Sequence, residues 1–584
     1  MNWKLIFLSS FVYYCFCVSQ IVNEQVTFEI AVPDETSLLI TPRLIELAQK
    51  TYTISPTNDP ATGCEICEEV IGNIISLRRS NATRQVMRDY LYKLCLLYTS
   101  DGQEGCKRVD IEIDIFLYII DHKEDLRPER FCAIYFIQYQ CEDPNADDWI
   151  IPLPPHPIGN FKPDIANDDT EFVQILQLTD VHVDPLYAPG SNSQCSEPLC
   201  CESGIPDDID KAAGYWADYD VCDMPWHTME NVLDTINQIN ENLNYIYFTG
   251  DIVSHRSWDT SKKNNTETIK QFLGALEKNF PNKTVFPILG NHEPHPADTY
   301  SPESVDKNSN VSSQWVLDLV AEEWSRWLPN DTQTTIKKGG YYTVLVKPGF
   351  RIIALNSNVC FRFNFWLVFE NNDTYDQLKW LVDVLSQAEK NGEKVHLLSH
   401  VPTSDDFYSC SAVWSRELTK IILRFSDTIT AQFNGHTHSD EFKLYFNSSK
   451  VKSVAYNGAS FTTFVGNNPN YRVYQVDSKN LTVTDYSEYV FNVTATIASS
   501  SPPKWYKLYS FKDAYDLPDL TLDSLGTLYA QMISNNTDNQ MVDLYYRYRS
   551  RDSDPINEKG CDLKCKQYLV CLVSAADTTE SMSC

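Results

Sequence analysis

The chain is short of positive charge. It has 48 Lys and Arg against 79 Asp and Glu, a formal net charge of -31 over 584 residues. Such a surface repels polyanions, which argues against nucleic acid as a partner. It suits an acidic compartment, where protonated carboxylates repel one another less. The chain also lacks a long apolar run beyond Val18, so nothing in the mature part is expected to span a bilayer. It lacks an odd cysteine too. Two of its 18 cysteines, Cys15 and Cys17, fall in the leader, and the even remainder suits a secreted chain with every thiol paired.

The leader itself is present. Lys4 gives it a positive end, Leu5 to Val18 is its apolar stretch, and Cys17 and Ser19 are small enough for cleavage. Residues 1–19 are therefore expected to be a signal peptide, with 20–61 an N-terminal segment. Ten Asn-x-Ser/Thr sites start at Asn81, Asn264, Asn282, Asn310, Asn330, Asn372, Asn447, Asn480, Asn492 and Asn535. That density fits the secretory pathway and a secreted or lysosomal protein.

Hydrophobic content of 43% and charged content of 22% read as globular, and the length asks for two or three folded units. Six cysteines (Cys64, Cys67, Cys95, Cys106, Cys132 and Cys141) lie among helical patterns in residues 62–145. Cys67, Val70, Ile71, Ile74 and Leu77 share one helix face, as do Met87, Tyr90, Leu91 and Leu94. Prolines then mark residues 146–168 as a semi-rigid linker. The units on either side are expected to have separate cores. From 169 to 494, short apolar strands alternate with amphipathic stretches, which implies an α/β sandwich. Residues 495–584 read as helical and polar.

Five motifs end predicted strands in the α/β region: Asp180 and His182; Asp251 with His255; Asn291, His292 and Glu293; His400; and His436 with His438. Loops at the carboxyl ends of such strands converge. Imidazole and carboxylate suit zinc, iron or manganese, and without thiolates the set does not read as a structural zinc site. An Asp-x-His or His-x-His pair sends both side chains to one side, so each pair can hold one ion. A strand-terminal Gly-Asp carboxylate can bridge two ions. Asn291 offers a neutral oxygen.

This ordered set resembles the calcineurin-like metallophosphoesterase superfamily. The resemblance implies one ion held by Asp180, His182, Asp251 and His438, and a second by Asp251, Asn291, His400 and His436. Two ions about 3.5–4 Å apart activate a bridging water and clamp phosphoryl oxygens. His292 and His255, not needed as ligands, are the candidates for protonating the leaving alkoxide.

The six-cysteine unit resembles a saposin B-type domain. With the stretches LTDVHVDPLY, EPLCCESG, GYWADYDVCDMP, GNHEPHP, ALNSNVC and GNNPNYRVYQVD, the whole order is similar to the acid sphingomyelinase family. That resemblance implies hydrolysis of sphingomyelin to ceramide and phosphocholine, two zinc ions per chain, and a monomer whose saposin unit meets the bilayer surface. It further implies the pairs Cys64–Cys141, Cys67–Cys132, Cys95–Cys106, Cys195–Cys200, Cys201–Cys222, Cys360–Cys410, Cys561–Cys565 and Cys571–Cys584.

Three alternatives stand beside it. A sphingomyelinase-like enzyme acting on nucleotides or other diesters resembles the catalytic part but lacks the Cys64–Cys141 unit. A purple acid phosphatase places a tyrosine three residues after the Gly-Asp aspartate, where this chain has Ser254. A lipid-binding protein with a dead catalytic part would have lost some of the seven ligands, and all seven are here.

Overall fold

The computed structural model describes residues 60–98, 102–136, 139, 141–157, 172–240, 242–405, 409–534 and 540–584. The expected signal peptide, residues 20–59, the linker from 158 onward and Asn535 lie outside them.

The first described unit is helical. Pro60–Arg79 opens on a proline, which is pre-set for a helix start, and closes on Arg78 and Arg79, which complement its carbonyl end. It buries Ile66, Val70, Ile71 and Ile74. Arg84–Tyr98, Arg108–His122 and Pro128–Tyr135 pack with it. Disulfides Cys64–Cys141, Cys67–Cys132 and Cys95–Cys106 tie these helices together. Such cross-links restrict the unfolded chain and add to the stability of a small core.

Two six-stranded mixed sheets form the middle of the molecule. In chain order the strands are β1 (Phe172–Leu178), β2 (Val183–Asp184), β3 (Met224–Pro225), β4 (Tyr245–Phe248), β5 (Thr284–Pro287), β6 (Tyr342–Lys347) and β7 (Phe350–Ala354). They continue with β8 (Lys394–Leu398), β9 (Ile429–Asn434), β10 (Glu441–Asn447), β11 (Lys450–Asn457), β12 (Asn470–Asp477), β13 (Val483–Val490) and β14 (Tyr506–Ser510). One sheet runs β14-β13-β12-β1-β4-β5, the other β10-β11-β9-β8-β7-β6. β1, β4 and β5 are parallel, as are β7, β8, β9 and β11. Parallel strands covered on both faces are apolar along their length, as in β8, where Val395 to Leu398 are all buried.

One expectation needs correction. The helical unit does not keep a separate core. Phe116 meets Phe365 at 6.0 Å, Tyr118 meets Trp366 at 5.5 Å, and one buried apolar cluster runs through both parts. Arg130 seals the join by donating to the carbonyls of Val368 and Leu367 at 2.6 and 3.2 Å. The linker is fastened where it is described: Trp149 Nε1 donates to Asn371 O at 3.0 Å and Ile151 is buried. Prolines stiffen a segment, but they do not prevent its neighbours from packing. The region after 494 is helical as expected, with β14 completing a sheet beside β13.

The remaining disulfides are Cys195–Cys200, Cys201–Cys222, Cys360–Cys410, Cys561–Cys565 and Cys571–Cys584.

Candidate metal centre

Each strand-end motif follows one of five strands. Asp180 and His182 follow β1, Asp251 follows β4, Asn291 and His292 follow β5, His400 follows β8, and His436 and His438 follow β9. β1, β4 and β5 belong to one sheet and β8 and β9 to the other, so the cluster sits where both sheets present carboxyl ends.

The backbone there is unusual. Asp180, His182, Asp251, His436 and His438 all have positive φ, between 41° and 72°. Non-glycine residues avoid this region, and such strain persists only where the surroundings fix it. Here they do. Asp180 N donates to Gly250 O at 2.9 Å and Val181 N to Asp251 O at 2.7 Å. His436 N donates to both oxygens of Asp180 at 3.0 Å.

The side chains form two halves that share Asp251. In one, Asn291 Oδ1 lies 2.9 Å from both His400 Nε2 and His436 Nδ1, with His400 Nε2 3.2 Å from Asp251 Oδ2. In the other, His182 Nε2 lies 3.1 Å from His438 Nε2 and 3.4 Å from Asp251 Oδ2, and His438 Nε2 lies 3.4 Å from Asp180 Oδ1. All of these are buried except His436 and His438, which are partly exposed.

The atoms that converge are acceptors. His182 Nδ1 faces Val253 O at 2.7 Å, so it carries the proton and Nε2 keeps its lone pair. His400 Nδ1 likewise faces Thr249 O at 2.7 Å. Asn291 Nδ2 donates to Asp298 at 2.8 Å, which turns its oxygen inward. Burial holds His182, His255 and His292 below the usual imidazole range. Burial would raise Asp251, but the His400 and His292 imidazoles hold it well below the usual carboxylate range. His400 goes the other way: burial opposes its charge, yet Asp251 beside it lifts it to about 9. Convergent lone pairs around a shared carboxylate fit divalent cations of borderline hardness, and binding there would displace the His400 proton.

His255 and His292 complete the cluster. The His255 ring is sandwiched between His182 and Phe464, each at 3.9 Å. His292 meets His182 edge-on at 4.7 Å, and its backbone N–H donates to Asp251 Oδ1 at 2.8 Å.

Several residues that matter here carry no motif. Asp223 lies 2.8 Å from His255 Nδ1 and accepts from Thr462 Oγ1 at 3.0 Å. Asp298 orients Asn291. Glu293, read from the sequence only as part of a strand-end motif, instead accepts from the backbone N–H groups of Gly290, Asp251 and Ile252.

Residues 173–440 match the calcineurin-like phosphoesterase family, and residues 444–584 match the acid sphingomyelin phosphodiesterase C-terminal region. The chain is 33% identical to a sphingomyelin phosphodiesterase of Bos taurus, over 89% of this chain and 83% of that one. It is 29% identical to sphingomyelin phosphodiesterase 1 of Caenorhabditis elegans, over 89% and 92%. Against the cyclic GMP-AMP phosphodiesterase SMPDL3A of Bos taurus it is 30% identical, over 70% and 90%.

Proposed function

The chain belongs to the acid sphingomyelinase family, and on that footing we propose that it hydrolyses sphingomyelin to ceramide and phosphocholine at a two-metal centre. The observation that carries the reading is the acceptor cluster built around Asp251, each half of which draws residues from both sheets.

Asp180, His182, Asp251 and His438 would hold one ion, and Asp251, Asn291, His400 and His436 the other. Zinc is the assignment by family. Ions bound there would activate a water and neutralise charge developing on the phosphoryl oxygens. The chain supplies the rest. Asp298 keeps the Asn291 oxygen facing inward, and Glu293 pins the β4 and β5 loops together. His255 presents Nε2, because Asp223 occupies Nδ1, and His292 presents Nε2, because Nδ1 faces Ser254 O at 3.3 Å. Either Nε2 can pass a proton to the leaving alkoxide. Both rings are held neutral by burial, so an anionic substrate and acidic pH are what charge them.

The helical unit, residues 62–145 by our division, is proposed to present membrane lipid. Its placement supports this. The helix Arg108–His122 packs against Ser257–Asp259, two residues beyond His255. No described helix is long and apolar enough to cross a membrane, which fits a substrate reached from outside the bilayer. Eight disulfides support passage through an oxidising compartment, whether secreted or lysosomal. Eight of the nine described sequon asparagines are exposed; Asn492 is half-buried and donates to Asp554. The likeness to a cyclic GMP-AMP phosphodiesterase keeps a soluble nucleotide diester as the second reading.

The test assays purified protein at acidic pH on sphingomyelin vesicles and on a soluble nucleotide diester, with chelator and with added zinc. Vesicle hydrolysis that chelator abolishes and zinc restores is expected, with loss of cleavage but not of vesicle binding in Asp251→Ala. Activity on the soluble diester alone would reject the lipid assignment. Chelator-resistant activity would reject the metal centre.

A further inference from the structure

Arg551 lies in the turn after the helix Gln540–Arg549, 113 residues beyond His438, and its side chain is fully buried. Among the described residues its guanidinium makes no hydrogen bond to a carboxylate, although Glu488, Asp440 and Asp180 act on its charge from a distance. Nη1 donates to the backbone carbonyl of His438, Nε to Asn468 O at 2.8 Å, and Nη2 to Ser460 Oγ at 3.2 Å. A buried cation spent on neutral acceptors is expensive, so this one needs a reason.

The turn that delivers it is built for the purpose. Arg551 and Asp552 both have positive φ, 53° and 57°. Asp552 fixes the turn from one side, pairing with Arg547 at 2.6 and 2.7 Å. Asn468 fixes it from the other, donating to the carbonyls of Arg551 and Asp552 at 3.2 and 3.3 Å. Asp440 N also donates to Arg549 O at 3.0 Å, so the turn grips the His438 loop at two points.

Both loops held by the fork belong to the centre. His438 stands at a φ of 54°, and a donor on its carbonyl helps to fix the backbone from which its ring projects. The Ser460 loop carries Thr462, whose N–H donates to Asp180 O at 3.0 Å and whose hydroxyl donates to Asp223, and Phe464, which stacks on His255. One rigid, planar group with donors in several directions can hold two loops in fixed relation; a lysine ammonium, a compact charge on a flexible stem, fixes their geometry less firmly.

We propose that Arg551 is a positioning residue through which the C-terminal region holds His438, and with it the half of the centre formed by Asp180 and His182. The inference rests on the two-metal reading. It gives the region after 494 a role in metal retention.

The test titrates zinc alone into metal-free wild type, Arg551→Lys and Ser460→Ala near neutral pH. It also records metal-free melting temperature, kcat and KM. Arg551→Lys is expected to bind one ion as wild type does and the other about 10–100-fold more weakly, with kcat reduced in proportion, KM little changed, and excess zinc restoring kcat. Wild-type zinc affinity and kcat in Arg551→Lys, with only the melting temperature lowered, would overturn the proposal. If Arg551→Lys does not fold, Ser460→Ala decides. It removes the acceptor of one arm of the fork, and with it the Ser460 Oγ–H donation to Thr462 O at 2.9 Å, and leaves Arg551 in place. Faster loss of one ion supports the coupling of this loop to the centre that the proposal needs, and an unchanged off-rate overturns it. Wild type that binds no zinc would instead overturn the two-metal reading.

Discussion

Asp223 holds His255 at two points: its Oδ1 lies 2.8 Å from the ring Nδ1, and its Oδ2 accepts the His255 backbone N–H at 2.6 Å. A carboxylate can satisfy both because all its lone pairs accept. An amide cannot, since one end would set N–H against N–H. Asp223→Asn is therefore expected to turn the ring or switch its tautomer, lowering kcat by about 10–10³-fold with KM little changed. Steady-state kinetics on vesicles checks it. An unchanged kcat would assign the proton-donor role to His292.

Gly290 faces Asp251 so closely that a Cβ there would lie 2.1 Å from Oδ1 and 2.4 Å from the backbone N. Contacts that short cannot be absorbed where ordinary carbon contacts are about 3.5–4.0 Å. Because Asp251 is shared, Gly290→Ala is expected to abolish retention of both ions, and activity with it. Gly274 is the control. It lies within the helix Lys262–Asn279 with no atom within 4 Å of the added carbon, so Gly274→Ala should be neutral or stabilise by up to about 1 kcal/mol. Metal content measured on both purified variants separates the two cases.

What was legible in the sequence is what is local. Each proposed ligand lies within four residues of an apolar strand, so the strand and its ligand read together. Asp223, Asp298 and Arg551 act on residues 32, 7 and 113 positions away with no spacing rule to mark them. The join between the helical unit and the sheets was hidden for another reason. Nothing in the spacing of Phe365 and Trp366 says that their partners are Phe116 and Tyr118. β14 was masked because Tyr506 to Ser510 show no alternation of buried and exposed residues and the stretch lies among helices.

Arg130 is the polar seal of that join, buried, with Asp147 2.6 Å from one nitrogen and two carbonyls of the catalytic part accepting from the guanidinium. Arg130→Ala leaves those carbonyls without their donor and should cost about 2–4 kcal/mol at the join. The helical unit would then sit less firmly beside the His255 loop. Vesicle hydrolysis is expected to fall by about tenfold or more, and hydrolysis of a soluble diester by no more than two- to threefold, since about 1.4 kcal/mol is a factor of ten. Equal losses on both substrates would show that the unit only stabilises the catalytic part.

His396 stands on β8, four residues before His400, in the core between Phe350 and Phe433. Its Nε2 lies 2.8 Å from Leu481 O, which can only accept, so that nitrogen carries the proton and Nδ1 accepts from Tyr247 Oη at 2.7 Å. Burial lowers its pKa to about 4. In the unfolded chain the value returns to about 6.5. Below that pH the unfolded chain takes up a proton that the native state refuses. The stabilisation is therefore full above about 6.5 and is lost as pH falls toward 4, amounting to about 2 kcal/mol between pH 7.5 and pH 5. His396→Gln removes the titration while keeping a donor and an acceptor. It should be less stable than wild type at neutral pH, and the gap should narrow by about 2 kcal/mol at pH 5. Every other group titrates in both proteins and cancels in the difference. Urea unfolding of the metal-free pair at the two pH values measures it. A gap that stays constant would mean that His396 takes up its proton in the folded core as readily as in the unfolded chain. A narrowing gap would mean that the core carries a histidine that costs the fold stability in acid.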